Sequence, residues 1–268
     1  FYFFSSPEVD PDLWGHLYFG REIVQNAKLP LENLYSYTAP DYRWINHEWL
    51  AEIVFYGLFH FFGSPGLILF KVALGGGLIW ILDLIIKKRV VSPFVRTLTL
   101  VLTMAILSPG FNVRPQIFTY LLFAAFLYLF YRYEEKDQAA LYWTPLLTAF
   151  WVNLHGGFVA GLGALGLFSL LSIFLGGRQG LTKGRSITRL IIPLALSLLV
   201  LGLNPYGGDL LWFLWWDLLL TRPITEWGPV PLWDFSFLEF KLGLLLVLLF
   251  SMRRNSWRRW DLILTVLA

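Results

Sequence analysis

The residues best suited to chemistry cluster early. Pro7-Glu-Val-Asp-Pro-Asp-Leu-Trp-Gly-His16 puts two carboxylates and an imidazole between Asp10 and His16. Grouped acids do two kinds of work: they take a proton as general base, or they offer hard oxygen ligands to a divalent cation such as Mg2+ or Mn2+. A second group, Asn46-His-Glu-Trp49, opens an apolar run, and Glu48 supplies a third candidate carboxylate for either role. Asp10, Asp12 and Glu48 are therefore the catalytic candidates and, equally, the candidate cation ligands. Further along, Phe111-Asn-Val-Arg-Pro-Gln116 carries a guanidinium suited to clamping a phosphate, with Gln116 beside it. Trp151-Val-Asn-Leu-His-Gly-Gly-Phe158 sets Asn153 and His155 next to glycines, where a ligand can approach the backbone. With His16, His47 and Glu226, these residues form the candidate substrate- and phosphate-binding set.

Each motif also has a plain structural explanation. Asp12 suits the N-cap of a helix over 13–25, on which Asp12 and His16 share a face. Asn46 can cap the following helix while Glu48 complements its dipole. Arg114 can extend to lipid headgroups. Asn153 and His155 suit a turn, Gly157 and Gly161 suit close helix packing, and Trp212, Trp215 and Trp216 suit an interfacial aromatic belt.

The elements that must position these residues are membrane helices. Of the 268 residues, 57% are hydrophobic, 15% are charged, and mean hydropathy is +0.60. Soluble domains carry about 25% charged residues, and an 18% aromatic content excludes a disordered chain. Apolar stretches near 65–86, 92–109, 115–131, 139–154, 157–176, 188–203 and 237–252, and another starting near 261, approach the about 17–25 residues a membrane span requires. The expected fold is an all-α polytopic bundle, with residues 1–63 as a long structured outer loop containing interfacial helices and 64–268 as about seven spans plus the start of another. The start at Phe1 and the apolar end at Leu262–Ala268 suggest part of a longer protein.

Threading these spans puts 14 of the 21 Lys and Arg on one face, the expected cytoplasmic side. The opposite face collects 13 of the 18 acids and every candidate site residue. Net charge of +3 gives no reason to expect nucleic acid, and the absence of cysteine excludes disulfides and thiolate chemistry. No phosphate-binding glycine loop is present. Lys71 and Asp83 are the ionisable residues within spans, and each lies near enough to an end to extend out of the bilayer. A transporter would need more such groups.

The order of an acidic motif in a long outer loop, a short helix with a further acid, and then a membrane helix resembles GT-C type polytopic glycosyltransferases. These include protein mannosyltransferases and bacterial enzymes that add aminoarabinose or other sugars to lipid A. The resemblance is strongest at Asp10–His16 and at Trp44–Leu50, the latter a Trp-x-x-His-Glu-Trp-Leu pattern. It implies a bacterial inner-membrane enzyme moving a sugar from a polyprenyl-phosphate donor to an acceptor on the non-cytoplasmic face. Asp10 or Asp12 would then be the base, Glu48 would organise a metal or the donor phosphate, and Arg114 would hold the lipid phosphate. Here Pro11 separates the two aspartates, which leaves the identity of the base open. A non-catalytic subunit with membrane-complex partners is the competing reading.

Overall fold

A computed structural model describes residues 2–33, 43–88, 90, 92–176 and 186–219, with isolated positions at 233, 238, 241–243 and 245. Glu226, most of the 237–252 stretch and the stretch starting near 261 lie outside the described residues. Within them the secondary structure is helical, apart from one antiparallel bridge between Glu32 and Arg43.

Helix α1, Leu13–Asn26, buries Leu13, Leu17, Gly20 and Ile23 and exposes Trp14, Tyr18 and Val24. That three-to-four spacing gives it one apolar stripe, which packs on α2, Trp49–Ile86. Gly20 marks the closest approach: a β-carbon there would overlap the Glu52 backbone carbonyl. Inside α2 the backbone breaks at Gly63 (φ 63°, ψ −160°) just before Pro65. Only glycine enters that region readily, and a proline two residues on starts the second segment where its missing N–H costs least. The apolar front part, His47 to Phe62, is too short for a span by itself, and it is continuous with the 65–86 stretch through this break.

Helix α3, Pro93–Leu107, starts with proline, and Ser92 Oγ accepts the Val95 N–H at 3.4 Å. Next come α4, Gln116–Glu134; a 3-10 turn at Ala140–Trp143 leading into α5, Thr144–Trp151; and α6, Phe158–Gly176. Last are α7, Thr188–Leu199, and α8, Gly208–Leu219. Phe126, Phe130, Trp151 and Phe168 form one aromatic core, where Phe130 stacks on Phe168 at 4.7 Å. Phe55, Phe111, Ile117 and Phe118 form a second, joined by Phe4.

Among the described residues two helices are long and apolar enough to cross a membrane, Trp49–Ile86 and Pro93–Gly110. Thr188–Leu203 and Gly208–Trp216, bent by 101°, make a third if taken as one broken span. The expected span at 139–154 resolves into a turn and the eight-residue α5. At about 1.5 Å per residue, eight residues rise about 12 Å, well short of a hydrocarbon core of about 30 Å.

Of the two ionisable residues in the spans, Lys71 does not extend outward as expected. Lys71 is 2% exposed and donates to the Ser6 carbonyl at 2.7 Å, so the chain start satisfies it internally. Asp83 accepts two hydrogen bonds from Arg96, each 2.5 Å, which tie α3 to the end of α2.

Candidate functional site

The residues that begin α2, α4 and α6 meet at one end of the bundle. Hydrogen bonds hold that end together. The Trp49 indole N–H donates to Asn153 Oδ1 at 3.0 Å, and the Leu50 N–H donates to the Asn153 carbonyl at 3.2 Å. Asn204 Nδ2 reaches the Val152 carbonyl and Asn153 Oδ1, while the Tyr206 hydroxyl donates to the Pro30 carbonyl. Asn153 is thus a buried junction between three segments and does not line the cavity beside it.

That cavity has a volume of about 740 Å3. Asp12 and His16 come from α1 and its entry, His47 and Glu48 precede α2, and Arg114 and Gln116 sit at the start of α4. His155 supplies the fourth wall. Seven of the residues singled out from the sequence therefore share one cavity although more than 100 positions separate the first from the last.

The local turn at Asp10–Leu13 differs from the expected cap. The Asp12 side chain makes no capping bond. Asp10 takes that role instead, because its Oδ1 accepts the Asp12 N–H at 3.0 Å and its carbonyl accepts the Leu13 N–H. An aspartate bonding its own chain two residues on is a common turn device, and it releases the Asp12 carboxylate to bond Arg114. Asp10 Oδ2 lies 3.4 Å from the same guanidinium. Arg114 therefore joins the α1 entry to the start of α4.

Glu48 sits between two imidazoles, with its Oε1 3.8 Å from His47 Nε2 and 3.6 Å from His155 Nε2. Burial holds its carboxyl above the usual range, against the pull of His47, His16 and Arg114, and Glu52 pushes in the same direction as burial. Of the three carboxylates considered for a divalent cation, Asp10 and Asp12 lie against Arg114 and Glu48 lies among histidines. Among the described residues no group of three or more acids or histidines has an arrangement for holding a metal.

Hydrogen bonding also fixes the state of His155. Its Nδ1 accepts the Gly157 N–H at 3.0 Å and lies 2.8 Å from Thr119 Oγ1, which itself accepts the Trp151 indole N–H at 2.9 Å. A ring nitrogen that accepts a backbone N–H carries no proton, so neutral His155 keeps its proton on Nε2, toward Glu48. A second proton would have to go on Nδ1, facing those donors. Burial first, then His47, Arg114 and His16, lower the His155 pKa to about 4.

Glu52, Thr119 and Tyr120 were not apparent as site residues in the sequence. Glu52 is 2% exposed and accepts from Asn46 Nδ2 at 2.6 Å while lying 3.3 Å from His16 Nδ1. The signal for it was its place four residues after Glu48 in an apolar run, where a charged side chain needs a partner. Tyr120 lines both the polar cavity and an apolar groove of about 340 Å3 walled by Leu78, Leu82, Leu107, Phe123 and Leu127. Comparison of the chain with protein-family models, with curated proteins and with solved structures finds no match.

Proposed function

We propose that this chain is a membrane glycosyltransferase of the GT-C type, moving a sugar from a polyprenyl-phosphate donor to an acceptor hydroxyl on the non-cytoplasmic face of a bacterial inner membrane. The observation that carries the reading is the convergence of Asp12, His16, Glu48, Arg114 and His155 on one cavity at the end of an apolar helical bundle. A phosphate-linked sugar needs a cation for its leaving group, a proton acceptor for the attacking hydroxyl, and hydrogen-bond donors to orient it. Arg114, the acids and the histidines supply these without a nucleotide site.

The apolar groove sharing Tyr120 with the cavity supports a lipid-linked donor specifically. A headgroup at Arg114 leaves the tail adjacent to Phe123 and Leu127 on α4. In this reading α1 and the part of α2 before Gly63 lie at the interface, and the segment after Gly63 spans the bilayer. Lys71 and Asp83, each satisfied locally, offer no ion pathway.

A diazirine-bearing analogue of undecaprenyl phosphate tests the reading in the full chain reconstituted into nanodiscs. Labelling is expected on α4 near Phe123 and Leu127. Unlabelled undecaprenyl phosphate should compete, and Arg114→Gln should weaken labelling about tenfold or more, the worth of a charge-assisted phosphate contact. Labelling indifferent to both competitor and variant would count against the donor assignment.

A further inference from the structure

Two of the three histidines that line the cavity have opposite ring nitrogens engaged. His155 uses Nδ1 as an acceptor and turns its Nε2–H toward Glu48. His16 does the reverse: its Nδ1 lies 3.3 Å from the buried Glu52 carboxylate. A carboxylate accepts, so that nitrogen carries the proton and Nε2 keeps its lone pair. Nε2 has no hydrogen-bond partner among the described residues.

Glu52 is well held for the task. Asn46 Nδ2 donates to its other oxygen at 2.6 Å, and α1 packs against its backbone at Gly20. A buried carboxylate bonded to Nδ1 fixes the tautomer and orientation of an imidazole and stabilises the imidazolium formed when the ring takes a proton. The aspartates are worse placed for that role, because Asp10 and Asp12 both engage Arg114.

We propose that His16, positioned by Glu52, is the proton acceptor of the cavity, and that His155 is its neutral hydrogen-bond donor. The assignment rests on the glycosyl-transfer reading above and names the base within it. In the step, His16 Nε2 takes the acceptor hydroxyl proton as that oxygen bonds to the anomeric carbon. The bond from that carbon to the phosphate oxygen breaks, and its electron pair leaves with the lipid phosphate. The charged and titratable groups around His16 are Glu52 and Glu48 from α2 and its entry, Asp12 one turn earlier on its own helix, Arg114 at the start of α4, and His47 and His155 in the facing loops. Glu52 is a positioning residue and His16 the catalytic one.

Two readouts do not depend on turnover. In 15N-histidine-labelled protein in nanodiscs, with His16→Gln to assign the signal, His16 is expected to carry its proton on Nδ1. Diethyl pyrocarbonate, which acylates an unprotonated imidazole, is expected at mildly acidic pH to modify His16 faster in Glu52→Gln than in the wild type, because the imidazolium loses the carboxylate that stabilises it. A third readout uses undecaprenyl-phosphate hexoses as donors. His16→Gln and Glu52→Gln should each lower kcat about 100-fold or more with KM little changed, the usual worth of a general base. Should Glu52→Gln fail to fold, His16→Gln, at a more accessible position, still decides the matter. The Nε2–H tautomer at His16, or kcat retained within about threefold in a folded His16→Gln protein, overturns the proposal. Absence of turnover in the wild type counts instead against the glycosyl-transfer reading, while the tautomer and acylation results still decide whether the dyad exists.

Discussion

Replacing His155 by Asn should remove a specific part of the protein's acid sensitivity. The wild-type ring has a pKa of about 4 in the fold against 6.5 when unperturbed. Between those values the unfolded chain binds a proton that the folded chain refuses, so stability falls as the pH drops through 6.5 toward 4. Integrating the proton uptake from pH 7 to pH 5 gives a loss of about 2 kcal/mol from this one side chain, an order-of-magnitude figure for a ring about a quarter exposed. Asparagine keeps an acceptor for the Gly157 N–H but cannot titrate. The assay is equilibrium unfolding of both proteins in the same detergent at pH 7 and pH 5. The variant is expected to lose about 2 kcal/mol less than the wild type on acidification, whatever its stability at pH 7. Equal pH dependence in the two proteins would refute the claim that burial, with the neighbouring His47, Arg114 and His16, keeps His155 neutral.

Other expectations follow from single contacts. Gly20→Leu should force α1 off α2 at the Glu52 carbonyl and cost about 1–3 kcal/mol by overpacking, read as a lower Tm. Asn153→Leu leaves the Trp49 indole N–H without its acceptor, while Asn204 Nδ2 keeps the Val152 carbonyl, and should cost about 1–3 kcal/mol for the buried donor left unpaired, read in the same melting experiment. Any turnover with a lipid-linked donor should persist in excess EDTA, because the acids of the cavity are partnered by Arg114 and histidines; full loss that Mg2+ restores would contradict that. Because burial raises the Glu48 pKa, the carboxyl should still carry a proton somewhat above pH 4.5. Its infrared carbonyl band, identified with Glu48→Gln, should therefore disappear only at higher pH than for an ordinary glutamate.

What the sequence made legible was governed by short-range rules. Apolar run length located α3, α4 and α6 within a few residues but only the part of α2 after Gly63, and the asymmetric distribution of basic residues singled out the end where Asp12, Glu48, Arg114 and His155 meet. The shortfall came where a tertiary partner decides the outcome. Asp12 has good cap chemistry, yet Asp10 takes that role, and the Asp12 carboxylate bonds Arg114, 102 positions away. Lys71 has a stem long enough to reach an interface, and only the fold reveals the Ser6 carbonyl beside it. Asn153 read as a ligand because it is polar beside glycines, whereas Trp49 and Asn204 make it a junction. Glu52 passed unnoticed because its partners, Asn46 and His16, arrive from two other segments.

The most direct test of the central claim is turnover by the full chain in nanodiscs, supplied with radiolabelled undecaprenyl-phosphate hexoses and a membrane-lipid acceptor fraction. The account predicts movement of label from the polyprenyl phosphate to an acceptor, with release of undecaprenyl phosphate, and its loss in Arg114→Gln and His16→Gln. Label that stays on the donor across the hexose panel, with properly folded wild-type protein, would contradict the account and favour a non-catalytic membrane subunit.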